Sequence, residues 1–159
     1  MDKSYTIVEV SPDNKYLSSI RKLFLEYARS LNFSLQFQNF QAELDELPGL
    51  YSPPRGGLFL ALVKNEPVGC VALKPLKDQI CEMKRLYVRP SFRGLGIGKG
   101  LVIHVISQAR ERWYDIMRLD TISSMKEAIA LYRSLGFEEI QPYYINPVEG
   151  AHYMELKLR

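Results

Sequence analysis

The segment RLYVRPSFRGLGIGKGL, residues 85–101, constrains the fold more than any other part of the chain. A run rich in β-branched and aromatic residues is followed by a proline, by glycines at positions 94, 96, 98 and 100, and by an apolar helical pattern. A glycine destabilises a helix start by roughly 0.5–1 kcal/mol relative to alanine, so four of them need an offsetting reason. The segment predicts a strand, a glycine-rich turn and a helix.

Two familiar nucleotide-binding motifs are excluded by the spacing of these glycines. The dinucleotide fingerprint G-x-G-x-x-G fails because neither Gly94 nor Gly96 has a glycine five residues later. The P-loop G-x-x-x-x-G-K-[ST] fails because Arg93 stands where its first glycine is required and Gly100 where its hydroxyl is required. The glycines therefore belong to neither motif.

An anion site remains the best interpretation of the segment. Glycines at a strand-to-helix junction let backbone N–H groups approach an anion closely, and the helix N-terminus adds a partial positive charge. Arg89, Arg93 and Lys99 supply formal charge nearby. These features favour a diphosphate ligand, and the alternative is that the glycines only permit tight packing of a helix on a sheet.

The hydrophobic periodicity of the whole chain predicts strand, one or two helices, three strands, helix, strand, helix and two strands. Ser11 and Pro12 are predicted to open the first helix as N-cap and N1. Ser124 and Glu127 are predicted to form the capping box of the last helix, which Gly136 ends. The order indicates an α/β (mixed α+β) fold with a central mixed sheet of six to seven strands and helices on both faces.

Composition narrows the class of protein. A chain of 159 residues fits a single domain, residues 1–159. A net charge of +3 suits a polyanionic ligand but does not predict nucleic acid. No apolar run approaches the roughly eighteen residues of a membrane span, and the first residues lack a secretory pattern, so we expect a cytoplasmic protein with no membrane partner. Cys70 and Cys81 are expected to be reduced, and His104 and His152 have no metal-ligand spacing, so no metal site is predicted.

Two motifs resemble one family. The run RGLGIG that begins at Arg93 resembles the R/Q-x-x-G-x-G/A coenzyme A loop of the GNAT superfamily of N-acetyltransferases, and it follows a strand that ends in LYVRP. The run AIALYRSLGF, residues 128–137, is similar to a helix and the following strand of that family. The resemblance extends over residues 58–158 and is loose before them. It implies the GNAT-type acyl-CoA N-acyltransferase fold and acetyl-CoA as co-substrate.

The resemblance also implies where coenzyme A binds. The pyrophosphate would bind the backbone amides of Arg93, Gly94, Leu95, Gly96, Ile97, Gly98 and Lys99. Pantetheine would lie beside Leu86, Tyr87 and Val88, where the fourth and fifth strands of this fold separate. Many relatives have an asparagine where Met125 stands, and Ser124 is the substitute contact.

Acetyl transfer to an amine requires a neutral amine. An amine with a pKa near 10.4 costs roughly 4 kcal/mol to deprotonate at neutral pH. Glu82 matches the position of a catalytic glutamate in several relatives, and we predict it as general base, directly or through water. The alternative is an ion pair of Glu82 with Lys84 or Arg85. Strand alternation puts Glu82 on the same face as Lys84, Leu86 and Val88.

The departing thiolate must be protonated or stabilised. Tyr132, four residues before Gly136, resembles the tyrosine from which many relatives donate this proton. A phenol pKa near 10 exceeds a thiol pKa near 8.5, so full transfer is uphill by about 2 kcal/mol and a hydrogen bond to the thiolate is the alternative. Strand N–H groups near Tyr87 or Val88 are predicted to stabilise the oxyanion. Outside the family context Tyr132 would be interpreted as a core residue.

The acceptor is predicted to bind the first helices, the loop after them and the final hairpin. The candidate residues are Tyr27, Phe33, Arg55, Tyr143, Tyr144 and Asn146. This tyrosine-rich set suits a modest, partly apolar acceptor, and Arg55 could pair with a carboxylate. Ordinary loop and hairpin residues are the alternative.

The predicted function is acetyl-CoA-dependent transfer to a primary amine of a small molecule or amino acid derivative, directly within a ternary complex. Two alternatives stay open: an acceptor that is a protein N-terminus or lysine, and a non-catalytic acyl-CoA-binding module. Bulky tyrosines in the final hairpin would close the channel that a peptide acceptor needs. A homodimer is left open.

Overall fold

The computed structural model describes residues 4–159, and this part of the chain forms one seven-stranded sheet flanked by four α-helices. The strands are β1 (Thr6–Glu9), β2 (Gly57–Val63), β3 (Glu66–Lys77), β4 (Ile80–Val88), β5 (Ile116–Ile122), β6 (Glu138–Ile140) and β7 (Ala151–Lys157). The helices are α1 (Leu17–Ser30), α2 (Phe40–Asp45), α3 (Ile97–Glu111) and α4 (Lys126–Ser134). The predicted order of elements is confirmed.

The sheet is mixed, with the spatial order β1-β2-β3-β4-β5-β7-β6. Every neighbouring pair is antiparallel except β4 and β5, which are parallel. One buried cluster joins the sheet to α3 and α4, and a second joins the opposite face to α1 and α2. The predicted covering of both faces by helices is therefore confirmed, and none of these helices is long and apolar enough to span a membrane.

The predicted start of the first helix is wrong. Helix α1 has Tyr16 as its N-cap residue, five residues after Ser11. The Ser11 hydroxyl donates to the Asp13 carboxylate at 3.1 Å, and the Asn14 amide donates to the Ser11 carbonyl at 3.0 Å. Ser11 and Pro12 form a turn because short polar side chains also stabilise turns by local hydrogen bonds.

The predictions for the two ends of α4 had different outcomes. Its N-cap residue is Met125, with no side-chain cap, so the predicted capping box of Ser124 and Glu127 is wrong. The Met125 amide instead bonds the Ile122 carbonyl at 2.9 Å, and this turn directly after β5 moves the helix start past Ser124. Gly136 follows the helix with a φ of +101°, and this predicted end is confirmed.

Strands β4 and β5 separate soon after they begin to pair. Their paired residues are Ile80–Glu82 with Ile116–Arg118. The rest of β4 keeps β3 as its neighbour on one side and faces a gap on the other. Backbone groups of residues 83–88 that point into this gap have no strand partner, so they can bind a ligand.

A β-bulge in β4 changes which side chains share a face. Arg85 has a φ of +61°, and the register against β3 shifts between the pairs that contain Lys84 and Tyr87. A bulge inserts one extra residue into a strand, so the alternation of side chains is reversed beyond it.

The bulge overturns one prediction about the face of Glu82. Cys81 and Met83 pack on the α3 side of the sheet, and beyond the bulge Leu86 and Val88 pack on that same side. Glu82 alternates with Cys81 and Met83, so it faces the α1 side. The prediction that Glu82 shares a face with Leu86 and Val88 is therefore wrong.

Candidate active site

A cavity of about 680 Å³ occupies the gap between β4 and β5. It extends from the start of α3, past the end of β4 and the first half of α4, to α1 and the segment that follows α1. The predicted site residues that line it are Tyr27, Phe33, Leu86, Tyr87, Val88, Arg93, Gly98, Ser124, Tyr132 and Asn146. One space therefore connects the predicted coenzyme loop with the predicted acceptor side.

The glycine loop presents exposed backbone at the N-terminus of α3. Gly94 and Gly96 both have a φ of +81°, a conformation that other residues rarely adopt, and Gly96 is the N-cap residue. The first helical hydrogen bond is donated by the Gly100 amide to the Gly96 carbonyl at 3.0 Å, so the preceding amides of this turn have no intrahelical acceptor. Free amides at a helix N-terminus are groups that can bind an anion.

The four glycines do not all serve the same purpose. A Cβ on Gly96 would have no atom within 4 Å, whereas a Cβ on Gly100 would overlap the Tyr5 hydroxyl. Gly100 thus fits the alternative interpretation, in which a glycine permits close packing. Gly94 and Gly96 instead allow the backbone conformation of the turn. Of the predicted loop residues, Arg93 and Gly98 line the cavity, and Gly94, Leu95, Gly96, Ile97 and Lys99 do not.

Arg93 connects the loop to the end of β4. Its Nε donates to the Val88 carbonyl at 2.9 Å, and its guanidinium lies 5.8 Å from the centre of the Tyr87 ring. The charge is held next to the loop amides, where it would strengthen the attraction of a phosphate group.

Tyr132 lines the cavity from α4, although only 6% of its surface is exposed. Burial, with smaller contributions from Tyr27 and Asp120, raises the pKa of its phenol well above the ordinary value. Its ring centre lies 5.7 Å from that of Phe137. The hydroxyl therefore stays protonated at neutral pH and can donate a hydrogen bond into the cavity.

Glu82 is buried at 3% exposure, and it is not among the residues that line the cavity. Its carboxylate accepts a hydrogen bond from the Tyr143 hydroxyl at 2.6 Å and lies 3.5 Å from the Lys74 ammonium. The ion pair that it forms is thus with Lys74, not with either of the cations suggested by the sequence.

Asp120 is a carboxylate at the cavity that sequence reasoning missed. It lies on β5, and its side chain is 9% exposed. Its Oδ2 accepts hydrogen bonds from the Tyr144 hydroxyl and, at 2.9 Å, from Asn146 Nδ2. Its Oδ1 lies 3.9 Å from Lys84 Nζ. A carboxylate in mid-strand of the otherwise mostly apolar run IMRLDTI was the signal that could have identified it.

Lys84 and Arg85 of β4 share the Gln38 side-chain oxygen and differ in how they are paired. Arg85 forms a bidentate ion pair with Glu43 at 2.9 Å for both bonds. Lys84 donates to Gln38 Oε1 at 3.0 Å, and burial lowers the pKa of its ammonium. Gln38 Oε1 also accepts from Arg85 at 2.9 Å. Nothing in the local sequence around Gln38 indicated this role, because its partners are distant along the chain.

Tyr143 and Tyr144, in the segment before β7, donate hydrogen bonds to the carboxylates of Glu82 and Asp120 respectively. The rings of Tyr143, Tyr144 and Tyr153 pack together, with centres 5.4–5.7 Å apart. Gln38 Nε2 donates to the Tyr144 hydroxyl at 3.0 Å. This contact joins the segment after α1, in which Gln38 lines the cavity, to the segment before β7.

The predicted role of Arg55 does not agree with its position. Its guanidinium donates to Gln79 at 3.1 Å and to the Asp78 carbonyl at 3.0 Å, and it stacks 4.2 Å from the centre of the Tyr114 ring. Asp78 and Gln79 form the turn between β3 and β4, at the end of β4 opposite the glycine loop. Arg55 is therefore a structural residue away from the cavity.

Within the described part of the chain, neither the cysteines nor the possible metal ligands form a reactive-thiol or metal site. Neither cysteine lines the cavity, and burial raises the pKa of Cys81 to about 12 and that of Cys70 further. In residues 4–159, no group of three or more His, Cys, Asp or Glu side chains is arranged to hold a metal ion.

Known proteins resemble this chain in sequence and in fold. The model of the acetyltransferase (GNAT) family matches residues 17–137. An uncharacterized N-acetyltransferase of Schizosaccharomyces pombe is 39% identical over 144 residues, which cover 89% of this chain and 88% of that protein.

Two solved structures share the fold. A GNAT-family acetyltransferase of Staphylococcus aureus superposes with a TM-score of 0.79 at 23% identity, over 98% of this chain and 99% of its own. The yncA protein of Salmonella typhimurium was solved with its cofactor acetyl-CoA. It superposes with a TM-score of 0.74 at 18% identity, over 98% of this chain and 95% of its own. The chain thus belongs to the acetyltransferase (GNAT) family and is an acyltransferase of the N-acetyltransferase type.

Proposed function

We propose that the protein moves the acetyl group of acetyl-CoA to a primary amine of a small molecule or amino acid derivative, directly within a ternary complex. One observation carries this proposal. A single cavity is lined by Arg93 and Gly98 of the glycine-loop segment, by the unpaired part of β4, and by the side chains of Lys84 and Asp120. Donor and acceptor can therefore meet in one space.

The donor end uses mainly backbone. The pyrophosphate binds the amides of residues 93–99, pantetheine lies along the open edge of β4 at residues 86–88, and Ser124 contributes a hydroxyl. A related fold that was solved with acetyl-CoA supports this assignment. Unpaired N–H groups of β4 in the gap are the donors for the tetrahedral oxyanion.

Two carboxylates compete for the role of general base. Glu82, the prediction from the family, is bonded to Tyr143, so it would act through that hydroxyl or through water. Asp120 lines the cavity, and its Oδ1 accepts no hydrogen bond from the tyrosine and asparagine that hold its Oδ2. We assign direct proton removal to Asp120 and a supporting role to Glu82.

Asp120 takes the first proton from the acceptor ammonium and passes it to solvent, and the neutral nitrogen forms a bond to the thioester carbon to give a tetrahedral intermediate. As the carbon–sulfur bond breaks, the second proton of the nitrogen passes to the departing sulfur, which Tyr132 stabilises by a hydrogen bond. The products are the N-acetyl amide and the coenzyme A thiol. The raised pKa of Tyr132 makes complete proton transfer from the phenol less favourable than in water, so stabilisation of the thiolate by a hydrogen bond is the main role of this residue.

Direct transfer agrees with the position of the thiols. A covalent acetyl-enzyme would need a reactive nucleophile at the donor end, and both cysteines are buried, protonated and outside the lining of the cavity. The contact of Gln38 with Tyr144 favours a small acceptor over a peptide, because it holds two segments together on the acceptor side and would restrict the entry of a longer chain.

The proposal is tested by a thiol-release assay with acetyl-CoA and a panel of amines, amino acids and peptides. We expect release that depends on both acetyl-CoA and a small primary amine. Binding of coenzyme A without turnover on any amine would instead support the non-catalytic module. Turnover on peptides alone would move the acceptor to the protein class.

A further inference from the structure

We infer that the acceptor is an α-amino acid with a free carboxylate, which Lys84 binds while Asp120 binds the neighbouring ammonium. The inference rests on the proposed function and names the acceptor class for that same site. It depends on the arrangement of a buried cation and a buried anion side by side on one cavity wall.

Lys84 has unused capacity to bind an anion. An ammonium has three N–H donors, and the contacts of Lys84 Nζ are Gln38 Oε1 at 3.0 Å and Asp120 Oδ1 at the long distance of 3.9 Å. The side chain is nine-tenths buried and lines the cavity. Desolvation without a close counter-ion is unfavourable for a cation, so a ligand carboxylate would be bound strongly.

The neighbouring cation is unsuited to this role. The Arg85 guanidinium is held by both oxygens of Glu43, and it also donates to Gln38. Its charge is therefore neutralised within the protein. On the same face Glu82 is paired with Lys74 and attracts the Lys84 ammonium without a direct contact, so Lys84 and Asp120 are the charges at the cavity that lack a short ion pair.

Asp120 offers the matching anion. Hydrogen bonds from Tyr144 and Asn146 hold its Oδ2, and they leave Oδ1 directed toward Lys84. An α-amino acid is a zwitterion with its ammonium and carboxylate on the same carbon. Bound here, it would replace one long ion pair by two short ones, with its carboxylate on Lys84 and its ammonium on Asp120.

Apolar side chains that line the same cavity suit an apolar side chain of the acceptor. Phe33, Leu35 and Phe37 line the cavity from the segment after α1. Burial of an apolar side chain of the acceptor against them would add hydrophobic stabilisation, and a charged side chain would be desolvated there without a partner. Leucine is therefore a suitable probe.

Peptide acceptors lack the group that this arrangement recognises. In a peptide or protein N-terminus the α-carboxylate is converted to an amide, so the Lys84 ammonium would gain no short ion pair from the acceptor. The product of the reaction, an N-acetyl amino acid, has lost the ammonium and therefore the attraction to Asp120, which favours its release.

The test compares leucine with leucinamide, which differ only in the carboxylate. For the wild-type protein we expect kcat/KM for leucine to exceed that for leucinamide by about tenfold or more, the range of a hydrogen bond to a charged group. Leucinamide has the lower amine pKa and is the more reactive nucleophile at neutral pH, so a preference for leucine would reflect recognition by the protein.

Variants at Lys84 complete the test. In Lys84→Met we expect the preference for leucine to disappear and Lys84→Arg to restore part of it, while Lys157→Met, an exposed position on β7, keeps the full preference. Binding of leucine and leucinamide to the wild-type protein by calorimetry, with coenzyme A present, gives the same comparison if Lys84→Met fails to fold.

Equal kcat/KM values for leucine and leucinamide in the wild-type protein would overturn the inference, and so would an unchanged preference in a folded Lys84→Met. Either result leaves the proposed function intact, since amine-dependent thiol release would still be observed. Absence of release with every amine would overturn the proposed function itself.

Discussion

The two ends of the cavity are built in different ways. The coenzyme end consists of consecutive residues, 93–98, and presents exposed backbone. The acceptor end consists of side chains that are distant along the chain. Hydrogen bonds hold Gln38, Lys84, Asp120 and Tyr144 together there. The first end should depend on backbone conformation and charge, and the second on the chemistry of each side chain.

The largest expected effect is at the coenzyme end. Gly96→Asp introduces a carboxylate where a pyrophosphate would bind, at a φ of +81°, and we expect it to abolish coenzyme A binding measured by calorimetry. Gly49→Asp is the matched control, because Gly49 also has a positive φ of +49° and no atom within 4 Å of an added Cβ. Both variants should lose about 1 kcal/mol of stability, and unchanged affinity in Gly96→Asp would refute the loop assignment.

The next effect is expected at the acceptor end. Asp120→Asn keeps the size of the side chain and removes its basicity, so we expect kcat/KM to fall by about 100-fold while coenzyme A binding stays unchanged. Glu82→Gln should lower kcat/KM less, because Glu82 contacts Tyr143 and not the cavity. A larger loss for Glu82→Gln would return the role of direct base to Glu82.

Tyr132 lies between the two ends, and its removal should affect turnover alone. We expect Tyr132→Phe to lower kcat at least about tenfold with little change in coenzyme A affinity, because the lost hydrogen bond is made mainly to the departing thiolate. Tyr114→Phe removes another buried tyrosine hydroxyl, which bonds the Arg55 carbonyl at 2.9 Å away from the cavity, and it should leave kcat unchanged. Full activity of Tyr132→Phe at saturating substrate would exclude the proposed role.

The smallest effect concerns an ion pair outside the lining of the cavity. Arg89, directly after β4, forms two hydrogen bonds of 2.9 and 3.0 Å with Glu26 on α1, and these bonds lower the pKa of Glu26. A lowered folded-state pKa contributes stability above the ordinary value of 4.5, and this contribution is lost as the pH falls through the lower folded-state value.

Glu26→Gln should therefore lower the free energy of unfolding by at most about 1 kcal/mol at neutral pH, and the difference from wild type should shrink below pH 4.5. Urea unfolding of the wild type and the variant, at neutral pH and below pH 4.5, measures this difference in the free energy of unfolding. Glu66→Gln is the control, because Glu66 is 3.7 Å from Arg89 and far more exposed. A difference for Glu26→Gln that grows as the pH falls would contradict the assigned shift.

The same contrast explains what could be predicted from the sequence. The glycine loop and the order of elements were predictable because spacing and periodicity are local properties of the chain. The cluster around Asp120 was not, because Gln38 and Tyr144 meet it only after the sheet has formed. Arg55 was assigned to the acceptor because a loop residue can reach many places before the fold is known.

The bulge at Arg85 shows a second limit. Its φ of +61° reverses the alternation of β4, and no glycine or asparagine marks the position in the sequence. The reversal orients Leu86 and Val88 toward the α3 side of the sheet while Glu82 remains on the α1 side. A strand pattern alone predicts one face for all three residues.

The central claim is that acetyl passes directly from coenzyme A to an amine within one cavity. Thiol release measured while acetyl-CoA and leucine are both varied tests it most directly. The account predicts release that requires both substrates, with intersecting double-reciprocal lines. Parallel lines, or an acetylated protein detected by mass spectrometry in the absence of amine, would contradict it.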